Sequence, residues 1–304
     1  MTATANPVAG GTINCTPNPV TAGDSANCIA TANVGYVFTN FTGACTGTTC
    51  ALTNVTAAKA VTANFTPLYS ITATANPVAG GTINCTPNPV TAGDSANCIA
   101  TANVGYVFTN FTGACTGTTC ALTNVTAAKA VTANFTPLYS ITATANPVAG
   151  GTINCTPNPV TAGDSANCIV TANVGYVFTN FTGACTGTTC ELTNVSADKT
   201  VTANFTLNTY SITATANPAA GGSVICSANP VAHGGTSGCT ITTNAGYTFN
   251  GFDGDCTGTT CELTNVTAAK AVTANFTPLY LITATADPVA GGTINCTPNP
   301  VTAG

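Results

Sequence analysis

The sequence has no tryptophan and no arginine, and only one histidine, one methionine and four lysines among 304 residues. Charged residues make up 4% of the chain and the formal charge at pH 7 is −5. A surface that meets phosphates needs a stripe of Lys and Arg, so nucleic acid is excluded as a partner. No unbroken apolar stretch approaches the ~20 residues of a membrane-crossing helix, so no segment is expected to span a bilayer. Nucleophile motifs, phosphate-cradling loops and a C-x-x-C-H haem attachment are missing as well. General acid–base chemistry needs a titratable group held beside another functional group, usually a histidine. The single one, His233, lies in the turn Ala232-His233-Gly234-Gly235, where it is expected to be solvated. No catalytic residue is expected.

What the chain has instead is repetition. Thr2 to Ser70 reads the same as Thr72 to Ser140, and Cys15, Cys85, Cys155, Cys226 and Cys296 follow one another at intervals of 70, 70, 71 and 70 residues. A fixed period of this length is the mark of an array of small modules. The register gives β repeats at 1–69, 70–139, 140–209 and 210–280, with an incomplete fifth at 281–304. The one extra residue falls at a junction: Thr66-Pro67-Leu68-Tyr69 and Thr136-Pro137-Leu138-Tyr139 become Thr206-Leu207-Asn208-Thr209-Tyr210. An insertion tolerated there marks a module boundary. Met1 stands where later copies have Ile71, Ile141, Ile212 and Ile282, and no charged-then-apolar leader precedes it. The chain is therefore expected to be a segment of a longer secreted protein.

Within a copy the apolar period is two, the strand period. In the second copy, strands are expected at Ser70–Ala75, Thr82–Thr86, Ala96–Asn103, Tyr106–Phe111, Ala121–Val125 and Ala130–Thr136. They are punctuated by Asn76-Pro77, Gly80-Gly81, Pro87-Asn88-Pro89 and Val104-Gly105. Abundant Thr, Val and Asn weigh against helix. The expected fold is all-β: a tandem array of small disulfide-stapled modules of about 70 residues and about six short strands, built as a sandwich or a β-grasp-like sheet. Ile71, Ile83, Ile99, Phe108, Phe111, Leu122, Val131 and Phe135 are its core candidates.

A module this small leaves stability marginal, and cysteines supply the constraint. Their spacing is C-x12-C-x16-C-x4-C in every full copy: Cys15, Cys28, Cys45 and Cys50; Cys85, Cys98, Cys115 and Cys120; Cys155, Cys168, Cys185 and Cys190; Cys226, Cys239, Cys256 and Cys261. Cys296 has no partner within the chain. Four cysteines permit three pairings, and sequence does not select one rigorously. The reading favours Cys85 with Cys98, which flank a turn-rich loop, and Cys115 with Cys120, which would staple Thr116-Gly117-Thr118-Thr119. Zinc is the rival, but zinc ribbons want two close C-x2–4-C pairs and only the second pair is close. No metal or other cofactor is expected. Asp253, Asp255 and Glu262 in the fourth copy gather the most acid for calcium, with solvated loop acids as the bland reading. The one lysine per copy (Lys59, Lys129, Lys199, Lys270) raises the idea of a Lys–Asn isopeptide staple, against which exposed turn lysines are expected. Asn-x-Ser/Thr sequons, at Asn40, Asn54 and Asn64 in the first copy and Asn265 and Asn275 in the fourth, are glycan acceptors only in a host that modifies them.

The run F-T-G-A-C-T-G-T-T-C-A-L-T-N-V-T-A-A-K-A-V-T-A-N-F from Phe111 to Phe135 resembles the closing half of the divergent internalin B-type repeat of bacterial surface proteins. Phe111 takes the usual Trp position of that pattern. Gly113-Ala114-Cys115, Cys120, Lys129, Val131, Ala133 and Phe135 follow it, as do Phe252, Cys256, Cys261, Lys270 and Phe276 in the fourth copy. The resemblance implies a secreted or surface-anchored protein with tandem β modules and no catalytic residues. An extracellular or cell-surface location agrees with the cysteine count.

Two functions are open to such an array. One is a fibre, filament or surface stalk, since edge strands are normally blunted by charge or Pro and these carry almost none. Self-association into fibres is the partner expected on this reading. The other is a multivalent adhesin that holds cell-surface or matrix glycans, or a protein, through loops such as Thr112 to Thr119. Thr-x-Thr rows such as Thr72 and Thr74 also suit ice or a mineral surface, provided the array is flat.

Overall fold

In the computed structural model, which describes residues 1–302, every regular element is a β-strand or a three-residue 3-10 turn. The chain is all-β. Ala303 and Gly304, the last residues of the expected fifth repeat, lie outside the described residues. Two compact units form. One comprises Met1–Ser140 with Pro159–Asp164 and Asn194–Ala197, the other Ile141–Asn158, Ser165–Thr193 and the chain from Asp198 onward.

The second repeat shows the plan. Ile71–Asn76 runs parallel to the long closing strand Lys129–Tyr139, whose other side takes Tyr106–Gly113 antiparallel. Ala96–Ala102 is the centre of a second sheet, between Gly81–Thr86 and the short Cys120–Leu122, both antiparallel to it. The two three-stranded sheets bury one common core of Ile71, Val90, Phe111, Leu122, Val125, Val131 and Phe135, with the four cysteines among them. The same strand order recurs in the other three repeats. Observed strands match the expected ones closely, except that Ala121–Val125 contracts to Cys120–Leu122, the closing strand runs on through the junction to Tyr139, and a two-residue strand, Val90–Thr91, forms where none was expected.

Strict alternation would put Phe108 and Phe111 on opposite faces. A register shift between Phe108 and Asn110, opposite Phe135 and Asn134, adds one residue and turns both rings inward. Their centroids lie 4.7 Å apart, and Phe108 meets Phe135 edge-on at 5.7 Å, a geometry that aromatic quadrupoles favour. The outer face of the same sheet is a polar ladder. Asn76 donates to Asn134 at 3.1 Å, Asn134 to Asn110 at 3.0 Å, and Thr74 and Thr132 share a hydrogen bond at 3.2 Å. The edge strand is clasped by Asn88, whose Oδ1 accepts the Ile71 N–H at 2.9 Å while its Nδ2 donates to the Ile71 carbonyl at 2.8 Å.

Of the expected core, Ile71, Phe111, Leu122, Val131 and Phe135 are buried, and Ile83 and Phe108 pack half-buried against them. Ile99 is corrected: it is 69% exposed. The strand is fixed by Ala96 and Cys98 pointing inward, and period two then sends Ile99 out.

Candidate functional site

Sequence chemistry concentrates in two places, the cysteine row and the junction. Cys98 lies on the central strand in register with Cys85 on one side and with Cys120 on the other. Paired residues on neighbouring strands share a face, so all three sulfurs point into the core. The structure bonds Cys85 to Cys98 across a Cα separation of 4.0 Å and Cys115 to Cys120 across 5.2 Å. It likewise joins Cys15 to Cys28, Cys45 to Cys50, Cys155 to Cys168, Cys185 to Cys190, Cys226 to Cys239 and Cys256 to Cys261. Cys296 is a free, half-buried thiol.

The junction does more than connect. The end of the first repeat's closing strand, Leu68–Tyr69, pairs antiparallel with Val90–Thr91 of the second. Leu68 donates its N–H to the Gly35 carbonyl behind it, and the Pro67 carbonyl accepts the Ala92 N–H ahead, both at 2.8 Å. The Tyr69 ring packs against the second repeat's core, next to fully buried Val90. One strand thus serves two repeats. Leu138–Tyr139 repeats the arrangement with Val160–Thr161, and Leu279–Tyr280 with Val301–Thr302. The inserted residue before the fourth repeat breaks the strand after Leu207. Asn208 then makes both junction bonds itself, donating to the Gly175 carbonyl and accepting from the His233 N–H, while Thr209–Tyr210 pairs with Val231–Ala232.

His233 is accordingly corrected from a solvated turn to a half-buried junction residue. Its Nδ1 lies 3.3 Å from the Tyr210 hydroxyl, and the ring lies so close over Gly175 that a Cβ there would sit 2.3 Å from it. The lysines are corrected too: Lys129, Lys199 and Lys270 open the closing strand half-buried, and Lys59 alone is exposed outside it.

The acids of the fourth repeat do not converge on a common point. Asp255 takes the Ala271 N–H at 2.7 Å and the Lys270 ammonium at 2.9 Å, whereas Asp253 caps the Gly254 N–H. Among the described residues no three His, Cys, Asp or Glu side chains gather into a metal-holding group. The Ala271 hydrogen bond, then the Lys270 bond and charge, hold the Asp255 carboxyl below its ordinary value of 3.8. A lowered folded-state pKa means that the contribution is present above the ordinary aspartate value and is lost as pH falls through the lowered one. On acidification below pH ~4, the fourth repeat is expected to lose stability that Asp255→Asn removes at every pH. Hydrogen exchange resolved by repeat checks this. Equal acid sensitivity in the Asp255→Asn chain would sink it.

Each repeat also carries a shallow recess between its sheets. In the second it encloses about 340 Å³ and is lined by Asn97, Ile99, Phe108, Phe111, Thr118 and Thr119. The same residue types line the recess of the first repeat. In the third and fourth, one phenylalanine (Phe181, Phe252) lines it, with Glu191 and Glu262 in place of Ala121, and in the fourth Gly238 and Thr240 stand in place of Asn97 and Ile99.

The family model of the divergent InlB B-repeat domain matches residues 1–68, 71–138, 141–209 and 212–279. The chain belongs to that family. Each InlB B-repeat here is a disulfide-stapled β module, and the four in tandem make this an InlB-like tandem-repeat protein. A search of curated proteins finds no match. No helix among the described residues is long and apolar enough to cross a membrane.

Proposed function

We propose that this InlB B-repeat chain is an extracellular or cell-surface structural protein that assembles into a filament, fibre or stalk, and that it performs no catalysis. The observation that carries the reading is the junction, where the Leu68–Tyr69 strand of one repeat supplies a pairing partner and a buried ring to the next. Repeats built this way cohere by strand addition, the interaction that also joins separate chains. The open edges favour lateral association as well: Gly81–Thr86, at the margin of its sheet, contains no charged residue. Intramodular disulfides suit an oxidising compartment and fix each repeat's partners against exchange with its identical neighbour.

A second reading, a multivalent adhesin, draws support from the recess found in every repeat, which in the first two has an apolar floor of two phenylalanines (Phe108 and Phe111 in the second) and a neutral rim of Asn and Thr, and in the third and fourth carries a glutamate. Glycans of the cell surface or matrix are the ligands that such a rim suits, and four copies would give avidity. Electron microscopy of the native extracellular material, before and after reduction, separates the two. Ordered filaments with an axial repeat of one or several modules support the structural polymer. Isolated strings that bind a glycan array would replace it with the adhesin.

A further inference from the structure

Every repeat carries one isoleucine on the outer face of its second sheet. In the first three it lies on the central strand, at Ile29, Ile99 and Ile169, 68%, 69% and 73% exposed, opposite Asn14, Asn84 and Asn154 of the margin strand. The fourth repeat reverses the arrangement. Its margin strand, Gly222–Cys226, carries Ile225, 68% exposed, and the residue opposite on the central strand is Thr240. The exposed apolar side chain has moved to the end of the sheet.

That strand has one free side. Ser227 donates its N–H to the Gly238 carbonyl at 2.9 Å, and the next pair, Cys226 and Cys239, has its Cα atoms only 3.9 Å apart, the narrow spacing of a pair without ladder bonds. Ladder bonds alternate along an antiparallel pair, so Ile225 and Ser223 spend their backbone groups on the central strand. The N–H and C=O of Val224 and Cys226 point the other way, where the sheet ends. Cys226 is half-buried, whereas Cys15, Cys85 and Cys155 at the same position are buried, so the fourth margin is the more open. The segment Gly-Ser-Val-Ile-Cys has no charged residue and no proline, the devices that blunt an edge.

We propose that Gly222–Cys226 pairs with the same strand of a second copy of this chain, antiparallel about a two-fold axis, with Ile225 of one copy directly opposite Ile225 of the other. The free backbone groups fix that register. Val224 of each copy exchanges hydrogen bonds with Cys226 of the other, which makes the intervening Ile225 pair a narrow one, the spacing at which side chains pack closest. A second copy is the occupant because the edge is self-complementary: its free groups match their own two-fold image, and an uncharged seam centred on one apolar residue covers itself. In the other repeats the centre of the seam would be asparagine, so the apolar contact belongs to the fourth. The pairing closes on itself and joins chains sideways. The inference rests on the self-association reading above and names a lateral contact within it.

The test compares the whole 304-residue chain with its Ile225→Lys and Ile225→Glu variants by sedimentation equilibrium. Residue 225 faces solvent in the single chain, so both variants should keep the wild-type circular dichroism. Each variant alone sets like charges opposite each other and loses the apolar seam, so association should weaken about tenfold. Mixed in equal amounts, the two should recover most of that loss, since Lys then faces Glu. A misfolded variant would not respond to mixing. Unchanged association in both variants overturns the interface and leaves the filament reading standing. Weakening that mixing does not restore means that Ile225 meets a different surface, and overturns the two-fold register. A wild-type chain that stays monomeric overturns the interface and the self-association reading together.

Discussion

Reducing the eight disulfides is expected to unfold the repeats at 25 °C. In the chain-entropy account the 13-residue separation of Cys85 and Cys98 contributes about 3 kcal/mol. The 5-residue separation of Cys115 and Cys120 contributes about 2 kcal/mol. A domain of this size seldom draws more than about 3–5 kcal/mol from its core, so losing both bonds removes as much as the fold has. Far-ultraviolet circular dichroism and amide dispersion, followed with and without a phosphine reductant, measure the effect. The Cys85→Ser/Cys98→Ser chain should lose the second repeat and keep the fourth. A reduced chain that retained its dispersed spectrum would show that the core suffices and that the bonds serve another purpose.

Gly81→Ala is expected to cost the second repeat about 3 kcal/mol, the upper end for overpacking a close-packed core. A Cβ there would lie 2.4 Å from the Thr101 carbonyl oxygen and 2.6 Å from two carbons of the Phe135 ring. Neither neighbour has room to yield. Thr101 is tied into the Gly81–Thr86 pairing, and Phe135 is pinned by Phe108 on one side and by Gly80 on the other, where an added Cβ would come within 2.5 Å of Phe135 Cβ. Conformational freedom is not the reason for glycine here; close approach of the strand to the ring is. Calorimetry should show one repeat melting early while the others hold. Thr82→Ala, at the exposed neighbouring position, should change little. Equal melting of the two variants would remove Phe135 as the cause.

The all-β fold, the period and most strands were legible because apolar alternation and turn residues are local signals, and this sequence repeats them four times. Ile99 misled because bulk was weighed above parity. Once Cys98 must face Cys85, Ile99 is on the outside, and the small Ala96 becomes the inward residue. The cysteines themselves carried that signal. Val90 lay hidden between Pro89 and Thr91 in what reads as a loop, since its burial comes from the strand that the previous repeat lends it. The Gly80-Gly81 pair reads as a turn because nothing local announces a phenylalanine more than fifty residues away. The Pro67-Leu68-Tyr69 junction reads as a linker for a similar reason: its partner belongs to the next repeat. The lesson is one of range, since long-range pairing leaves no mark in the spacing of neighbouring residues.

The parallel pairing of the first and closing strands fixes how a repeat answers tension. Ile71 stands opposite Lys129 at one end of the pair and Asn76 opposite Asn134 at the other, with the chain entering at Ile71 and leaving past Asn134 toward Tyr139. A pull applied along the chain therefore drags the two strands past each other lengthwise. Their ladder of hydrogen bonds is loaded in shear, all rungs together, instead of peeling open one rung at a time. The same register holds in the other three repeats. Each repeat is thus placed to act as a stiff link whose yield point is set by a whole strand rather than by its weakest bond.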